Sequence, residues 1–210
     1  MILVLAAHSD DEVLGCGGTI AKYAEEGEDV VSIVFTSGDP TNISHYRDAK
    51  EAGIKRRKES IAASKILGVR DTVFLGIPDK PFAAEFKSKK IKQRITKIVK
   101  KLAPRIIFTH VPDDPHPIHQ SVAKIAKEIA TAEEIELYTF TIINPIKIKH
   151  RESPRMYIDI SSTFKKKREA LQQFKSQEHW LIYYKLIAYL DNKLAGLKSG
   201  HHYAEVFYKW

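Results

Sequence analysis

Met1-Ile2-Leu3-Val4-Leu5-Ala6-Ala7-His8-Ser9-Asp10-Asp11-Glu12 opens the chain, and the change of character within this stretch decides how the rest is read. Seven apolar residues in a row are far too few to cross a bilayer and read as a short strand buried on both faces. One imidazole and three carboxylates follow at once. Parallel α/β sheets bind ligands outside the carboxyl ends of their strands, above all where the strand order reverses. A histidine and three acids crowded at such a place are costly to hold together unless something positive neutralises them. The N-terminus of a following helix favours one acid, or two, through its dipole. It does not explain His8 or the third acid. A divalent metal would, and zinc accepts both imidazole nitrogen and carboxylate oxygen while leaving one position for water.

Outward from this stretch, strand and helix patterns alternate. Residues 13–26 carry Leu14, Ile20, Tyr23 and Ala24 at helical spacing, with Gly27 as the stop. Residues 29–36 form a Val/Ile/Phe-rich strand, and 37–46, with Gly38, Pro40 and Asn42, a loop. A helix over 49–67 ends at Gly68, a strand covers 72–75, and a lysine-laced helix over 89–102 has Ser88 placed to cap it. Strand 104–109, helix 118–132 and strand 135–142 complete the run. This order predicts right-handed βαβ units and a Rossmann-like α/β fold, its mostly parallel sheet covered by helices on both faces. Beyond about Pro145 the alternation weakens into a small C-terminal extension: strand 156–160, helices 164–175 and 178–195, and strand 203–207. With no repeat, low-complexity tract or linker, residues 1–210 read as one domain.

A second cluster, Asp113-Asp114-Pro115-His116-Pro117-Ile118-His119, follows the fourth strand and opens the next helix. Pro117 suits a first helical turn, where its missing N–H would be unpaired anyway. His116 and His119 can then face a common point, although two solvent-facing histidines on a proline turn would read the same. The two clusters together say more than either alone. In a sheet of order 3-2-1-4-5 the first and fourth strands are neighbours, and His8, Asp11 and His119 would make two imidazoles and a carboxylate, a familiar open zinc set.

The residues also carry a family resemblance. Ala7-His8-Ser9-Asp10-Asp11-Glu12 followed by Leu14-Gly15-Cys16-Gly17-Gly18-Thr19 is similar to the Ala-His-Pro-Asp-Asp-Glu and glycine-rich opening of the PIG-L, or LmbE-like, de-N-acetylases. Thr36-Ser37-Gly38-Asp39, Arg56 with Glu59 ahead of Leu67-Gly68, and the His116/His119 pair extend it. Lys167 with Ala170-Leu171 and Ser176-Gln177, then Tyr203-Ala204-Glu205-Val206-Phe207, carry it to the end. The resemblance implies a zinc-dependent hydrolase that removes an acetyl group from an N-acetylglucosamine-type small molecule. By the same resemblance His8, Asp11 and His119 would ligate Zn2+, Asp10 would act as general base, His116 would assist at the oxyanion, and Arg56 would help hold the sugar. Two positions depart from the pattern. Ser9 replaces the family proline, which loosens the turn without removing chemistry. Ile118 replaces the Asp of His-Pro-Asp-His, leaving Asp113 or Asp114 to partner His116.

Composition bounds the alternatives. Of 210 residues, 43% are hydrophobic and 29% charged, enough for a core without disulfides. Cys16 is the only cysteine, which fits a reducing, cytoplasmic setting and a small core residue better than a nucleophile. The opening lacks the basic and longer apolar segments of a signal peptide, and no segment reads as a membrane span. The net charge of +8 gathers in the lysine-rich stretches 87–101, 147–155 and 165–168, which read as solvated faces; no nucleic-acid partner is expected. Gly15, Gly17 and Gly18 resemble part of a dinucleotide loop, but the acids before them are hostile to a pyrophosphate, and close helix–sheet packing is the better reading. Rival readings are a metal-dependent hydrolase of a phosphate ester and a non-catalytic basic binding module. The oligomeric state, a homo-oligomer included, stays open.

Overall fold

The computed structural model describes residues 1–36, 49–78, 89–142 and 155–210. Strands β1 (Ile2–Ala6), β2 (Val30–Thr36), β3 (Asp71–Ile77), β4 (Ile106–His110) and β5 (Glu136–Phe140) alternate with helices α1 (Asp11–Glu25), α2 (Ala49–Leu67), α3 (Lys89–Leu102) and α4 (Pro117–Ala132). They are followed by β6 (Arg155–Asp159), α5 (Phe164–Leu171), a single 3-10 turn (Lys175–Gln177), α6 (Glu178–Ser199) and β7 (Ala204–Lys209). Together they form one seven-stranded sheet of order β3-β2-β1-β4-β5-β7-β6. The first five strands pair in parallel, as the alternation predicts. β7 lies antiparallel between β5 and β6, so the C-terminal extension lengthens the same sheet.

The period of two along β1 sorts its side chains between two cores. Ile2 and Val4 join Ile20, Leu67, Phe108, Phe140 and Phe207 on the face covered by α1, α2, α5 and α6. Leu3 and Leu5 join Ile33, Phe35, Ile95, Val99, Val122 and Ile129 on the face covered by α3 and α4. In α3, Ile95 and Val99 bury one stripe while Lys92 and Lys100 turn outward to Glu128 (2.7 Å) and Glu133 (3.3 Å). The lysines of this helix therefore belong to a solvated face partly neutralised by its neighbour. Ser88 and the loop 37–46 lie outside the described residues.

α1 is broken where the sequence reads continuous. Cys16 takes φ −146° and ψ 22°, which separates Leu14 O from Gly18 N, partners four residues apart in an intact helix. An ion pair enters the gap. Lys167 Nζ donates to Leu14 O (2.9 Å) and to Glu205 Oε1 (2.7 Å), while Glu205 accepts from Gly18 N–H (2.9 Å) and Thr19 N–H (2.8 Å). The carboxylate thus caps the N-terminus of the second half-helix. Thr163 Oγ1 donates to Gly18 O at 2.8 Å, tying in the start of α5. The glycines let this assembly close: a Cβ on Gly15 would stand 2.2 Å from Phe140 Cδ2, and one on Gly18 2.6 Å from Ile160 Cδ1. They are packing glycines, not a phosphate loop.

Lys167 and Glu205 are 1% and 0% exposed, so removing one leaves the other charged and buried. Lys167→Met should lower unfolding stability by about 3–5 kcal/mol in urea denaturation. Adding Glu205→Gln should recover part of that loss. A midpoint unchanged in Lys167→Met would show that the pair does not hold the break.

Candidate functional site

β1 and β4 are adjacent, and the chain leaves their carboxyl ends in opposite directions across the sheet, so the switch point lies between them. His8, Asp10 and Asp11 follow β1; His110 ends β4, and Asp114, His116 and His119 come next. The two histidine- and acid-bearing clusters of the sequence meet here.

Asp11 Oδ2 is the point of convergence. It accepts the His8 backbone N–H at 2.7 Å, which closes the turn after β1. His8 Nδ1 lies 3.2 Å from it, His119 Nε2 3.3 Å and His110 Nε2 3.4 Å. His8 Nδ1 and His119 Nε2 are themselves 3.2 Å apart. Burial alone would raise the Asp11 pKa, but His119, His8 and His110 hold it well below the ordinary carboxylate value. Reciprocally, burial works against a charge on His119, yet Asp11 and Asp114 raise its pKa to about 10. For His8, too, Asp11 outweighs burial and the shift is upward.

Among the described residues two groupings of side chains could hold a metal ion: His8 with His116 and His119, and Asp11 with His110 and His119. The set expected from the sequence, His8, Asp11 and His119, straddles both. A tetrahedral ion with ligands at about 2.0–2.1 Å requires its donors to stand about 3.3–3.4 Å apart. The triangle of His8 Nδ1, Asp11 Oδ2 and His119 Nε2, with edges of 3.2, 3.2 and 3.3 Å, fits that requirement.

The remaining expected residues surround this triangle. Burial, then the neighbouring Asp11 carboxylate, lifts the Asp10 pKa to about 6; the charge of Arg56 is close enough to oppose the shift. His116 is exposed and caps α4, its Nδ1 accepting the Ile118 N–H at 3.3 Å. Its ring centre lies 5.0 Å from that of His8 and 4.7 Å from that of His119. Partial burial of the ring and then the charges of His119 and His8 depress its pKa to about 4, which favours the neutral ring with the proton on Nε2. A neutral His116 can serve as a hydrogen-bond donor through that nitrogen.

The side chain of Ile118 belongs to the core. It is 5% exposed within the core of Leu3, Val122 and Ile125, so a carboxylate there would be buried among apolar groups. Asp114 takes up the orienting role differently: Oδ1 accepts the His116 backbone N–H (2.8 Å) and lies 3.0 Å from His119 Nδ1. That contact leaves His119 Nε2 free to point at Asp11.

His110 was missed because the strand was expected to stop at Thr109. It is 0% exposed, accepts the Ala7 N–H at Nε2 (3.0 Å) and stacks on His119 at 4.0 Å. A polar residue ending a core strand beside β1 was the available signal. Glu12 is also fully buried, with Ser60 Oγ 3.4 Å from Oε1, and burial raises its pKa well above the usual value. Cys16 is inert: its thiol is buried, donates to Glu12 O at 3.3 Å, and has a pKa raised by burial. His201 and His202 are exposed and lie apart from this cluster, His201 standing 3.5 Å from Asp159. Glu59 accepts from Ser176 N–H (2.8 Å), joining α2 to the 3-10 turn. Among the described residues no helix is long and apolar enough to cross a membrane.

Comparison with known proteins gives this geometry a lineage. A 4-oxalmesaconate hydratase of Pseudomonas putida is 32% identical over 205 residues, covering 89% of this chain and 77% of that protein. The diacetylchitobiose deacetylase of Thermococcus kodakarensis is 25% identical over 224 residues, covering 97% and 80%. The solved N,N'-diacetylchitobiose deacetylase from Pyrococcus horikoshii shares the fold with a TM-score of 0.83 at 22% identity, over 100% of this chain and 83% of that one. The family model described as PIG-L, GlcNAc-PI de-N-acetylase, matches residues 3–130, from β1 through the His116/His119 cluster and most of α4, and the chain belongs to that family.

Proposed function

We propose that this enzyme is a zinc-dependent hydrolase removing the acetyl group from an N-acetylglucosamine-type small molecule. The observation that carries the reading is the donor triangle of His8, Asp11 and His119, whose edges match a tetrahedral ion. Membership of a de-N-acetylase family and similarity to an archaeal diacetylchitobiose deacetylase support the choice of bond.

When bound, zinc supplies Lewis acidity: it polarises the acyl carbonyl and makes a water acidic enough to lose its proton near neutral pH. Asp10, with a pKa of about 6, accepts that proton as the water oxygen attacks the acyl carbon. The neutral His116 donates its Nε2–H to the carbonyl oxygen as negative charge collects there. Asp10 then returns the proton to the nitrogen as the C–N bond breaks, releasing acetate and a free amine. Arg56, whose charge is felt at Asp10, would hold a hydroxyl of the sugar.

A second reading has its own support. The Pseudomonas putida relative is named for hydration of 4-oxalmesaconate, and an activated water with an aspartate base could also add across a carbon–carbon double bond. Incubation with N-acetylglucosamine, diacetylchitobiose and 4-oxalmesaconate, with and without added zinc, separates the two. Acetate release from an N-acetyl sugar supports deacetylation; loss of the unsaturated acid's absorbance with no acetate released overturns it.

His8→Ala, Asp11→Ala and His119→Ala should each strip the protein of zinc in elemental analysis, while His201→Ala retains it. Full zinc in His119→Ala would remove the second cluster from the metal site.

Asp10→Asn should keep its zinc and lose turnover by roughly a hundred-fold or more. Asp11→Asn should bind zinc weakly and regain activity as the metal concentration rises. Normal turnover by a zinc-replete Asp10→Asn protein would place the base elsewhere, with Glu12 the next candidate.

A further inference from the structure

α6 turns only part of its surface to the sheet. Leu181, Ala188, Asn192 and Ala195 are buried, whereas Ile182, Tyr183, Leu186, Tyr189, Leu190, Leu194 and Leu197 are each 38–66% exposed. At 100° per residue these seven fall on one broad outward arc. Within it Tyr183, Leu186, Leu190, Leu194 and Leu197 are spaced 3, 4, 4 and 3 residues apart, the average repeat of 3.5 by which one helix packs along another. The seven side chains together bare roughly 800 Å² of largely apolar surface, more than a monomer usually leaves to water and the share each partner brings to a standard interface.

We infer that this face is covered by α6 of a second copy of the chain, the two helices crossing about a two-fold axis near Leu190. The spacing favours a helix over a flat lipid surface, since a 3.5-residue repeat sets a narrow seam for a partner helix. Charge does not oppose a copy of the same chain at this face. The protein carries a net +8, so two copies repel at most faces, but the stripe itself is nearly free of charge. Lys193, the one cation inside the arc, folds back with its Nζ 5.0 Å from the centre of the Tyr203 ring. Along one flank runs a groove of about 180 Å³ between α5 and α6, walled by Phe164, Leu171, Ala188 and Tyr189 together with Arg168 and Lys185.

Sedimentation equilibrium of the full chain tests this, alongside Leu186→Glu/Leu190→Glu. Both positions are exposed, so circular dichroism should show the variant folded. The wild type should sediment as a dimer or a multiple of one, and the variant should lose this association at least ten-fold. A wild type that is monomeric, or a variant that associates equally well, overturns the inference. So does a monomeric wild type that floats with vesicles containing phosphatidylglycerol, which would assign the stripe to lipid. Leu190→Cys supplies an independent reading. Cys16 is buried, so an oxidised dimer can arise only through the new thiol meeting its counterpart across the axis. Failure of Leu190→Cys to cross-link beyond a surface Lys165→Cys control contradicts the two-fold crossing.

Discussion

Everything at the site depends on a helix that is broken on purpose. α1 must begin immediately after β1 so that Asp10 and Asp11 stand at the switch point, and it must also lie closely on Phe140 and Ile160. The helix meets both with a break at Cys16, where the Lys167–Glu205 pair replaces the lost Leu14–Gly18 hydrogen bond from outside the helix. A buried ion pair is seldom a net source of stability compared with an apolar substitute. Here three hydrogen bonds from the pair satisfy backbone groups that water cannot reach, and they tie α5 and β7 to the first half of the fold.

The site is an electrostatic arrangement that could hold a cation. Asp11 is held ionised by three imidazoles, and His8 and His119 are pushed towards their protonated forms by it. A divalent ion can take the place of those protons among the same donor atoms, releasing them as it binds. Beside this centre the two general-purpose groups are tuned apart. Asp10 titrates near neutrality because it is buried next to another carboxylate, while His116 is kept neutral by burial and the charged imidazoles.

Much of this was legible in the sequence because its signals were local. The unbroken apolar run of β1 and the alternation up to residue 142 announce a parallel sheet, and the acid run and His-Pro-x-His cluster mark its switch point. Long-range choices were not legible. Nothing near Gly15–Gly18 announces that a lysine and a glutamate from the far end of the chain will complete that helix. Although Lys167 and Glu205 stood among the resembling residues, only the fold gave them a task. His110 escaped because a one-residue difference in the end of β4 moved it from loop to site. Ile118, which reads in sequence as a missing partner for His116, is a core residue.

Relatives named for hydrolysis and for hydration share this scaffold, so activation of water is the property to be secured first, with the acceptor of that water decided by what surrounds it. Anomalous diffraction at the zinc edge from a zinc-loaded crystal addresses that property directly. One peak should stand about 2.0–2.2 Å from His8 Nδ1, Asp11 Oδ2 and His119 Nε2, with a position open towards His116. A peak seated instead on the inner side, against His110 with Asp11 and His119, would contradict it, because zinc there would be sealed from any substrate.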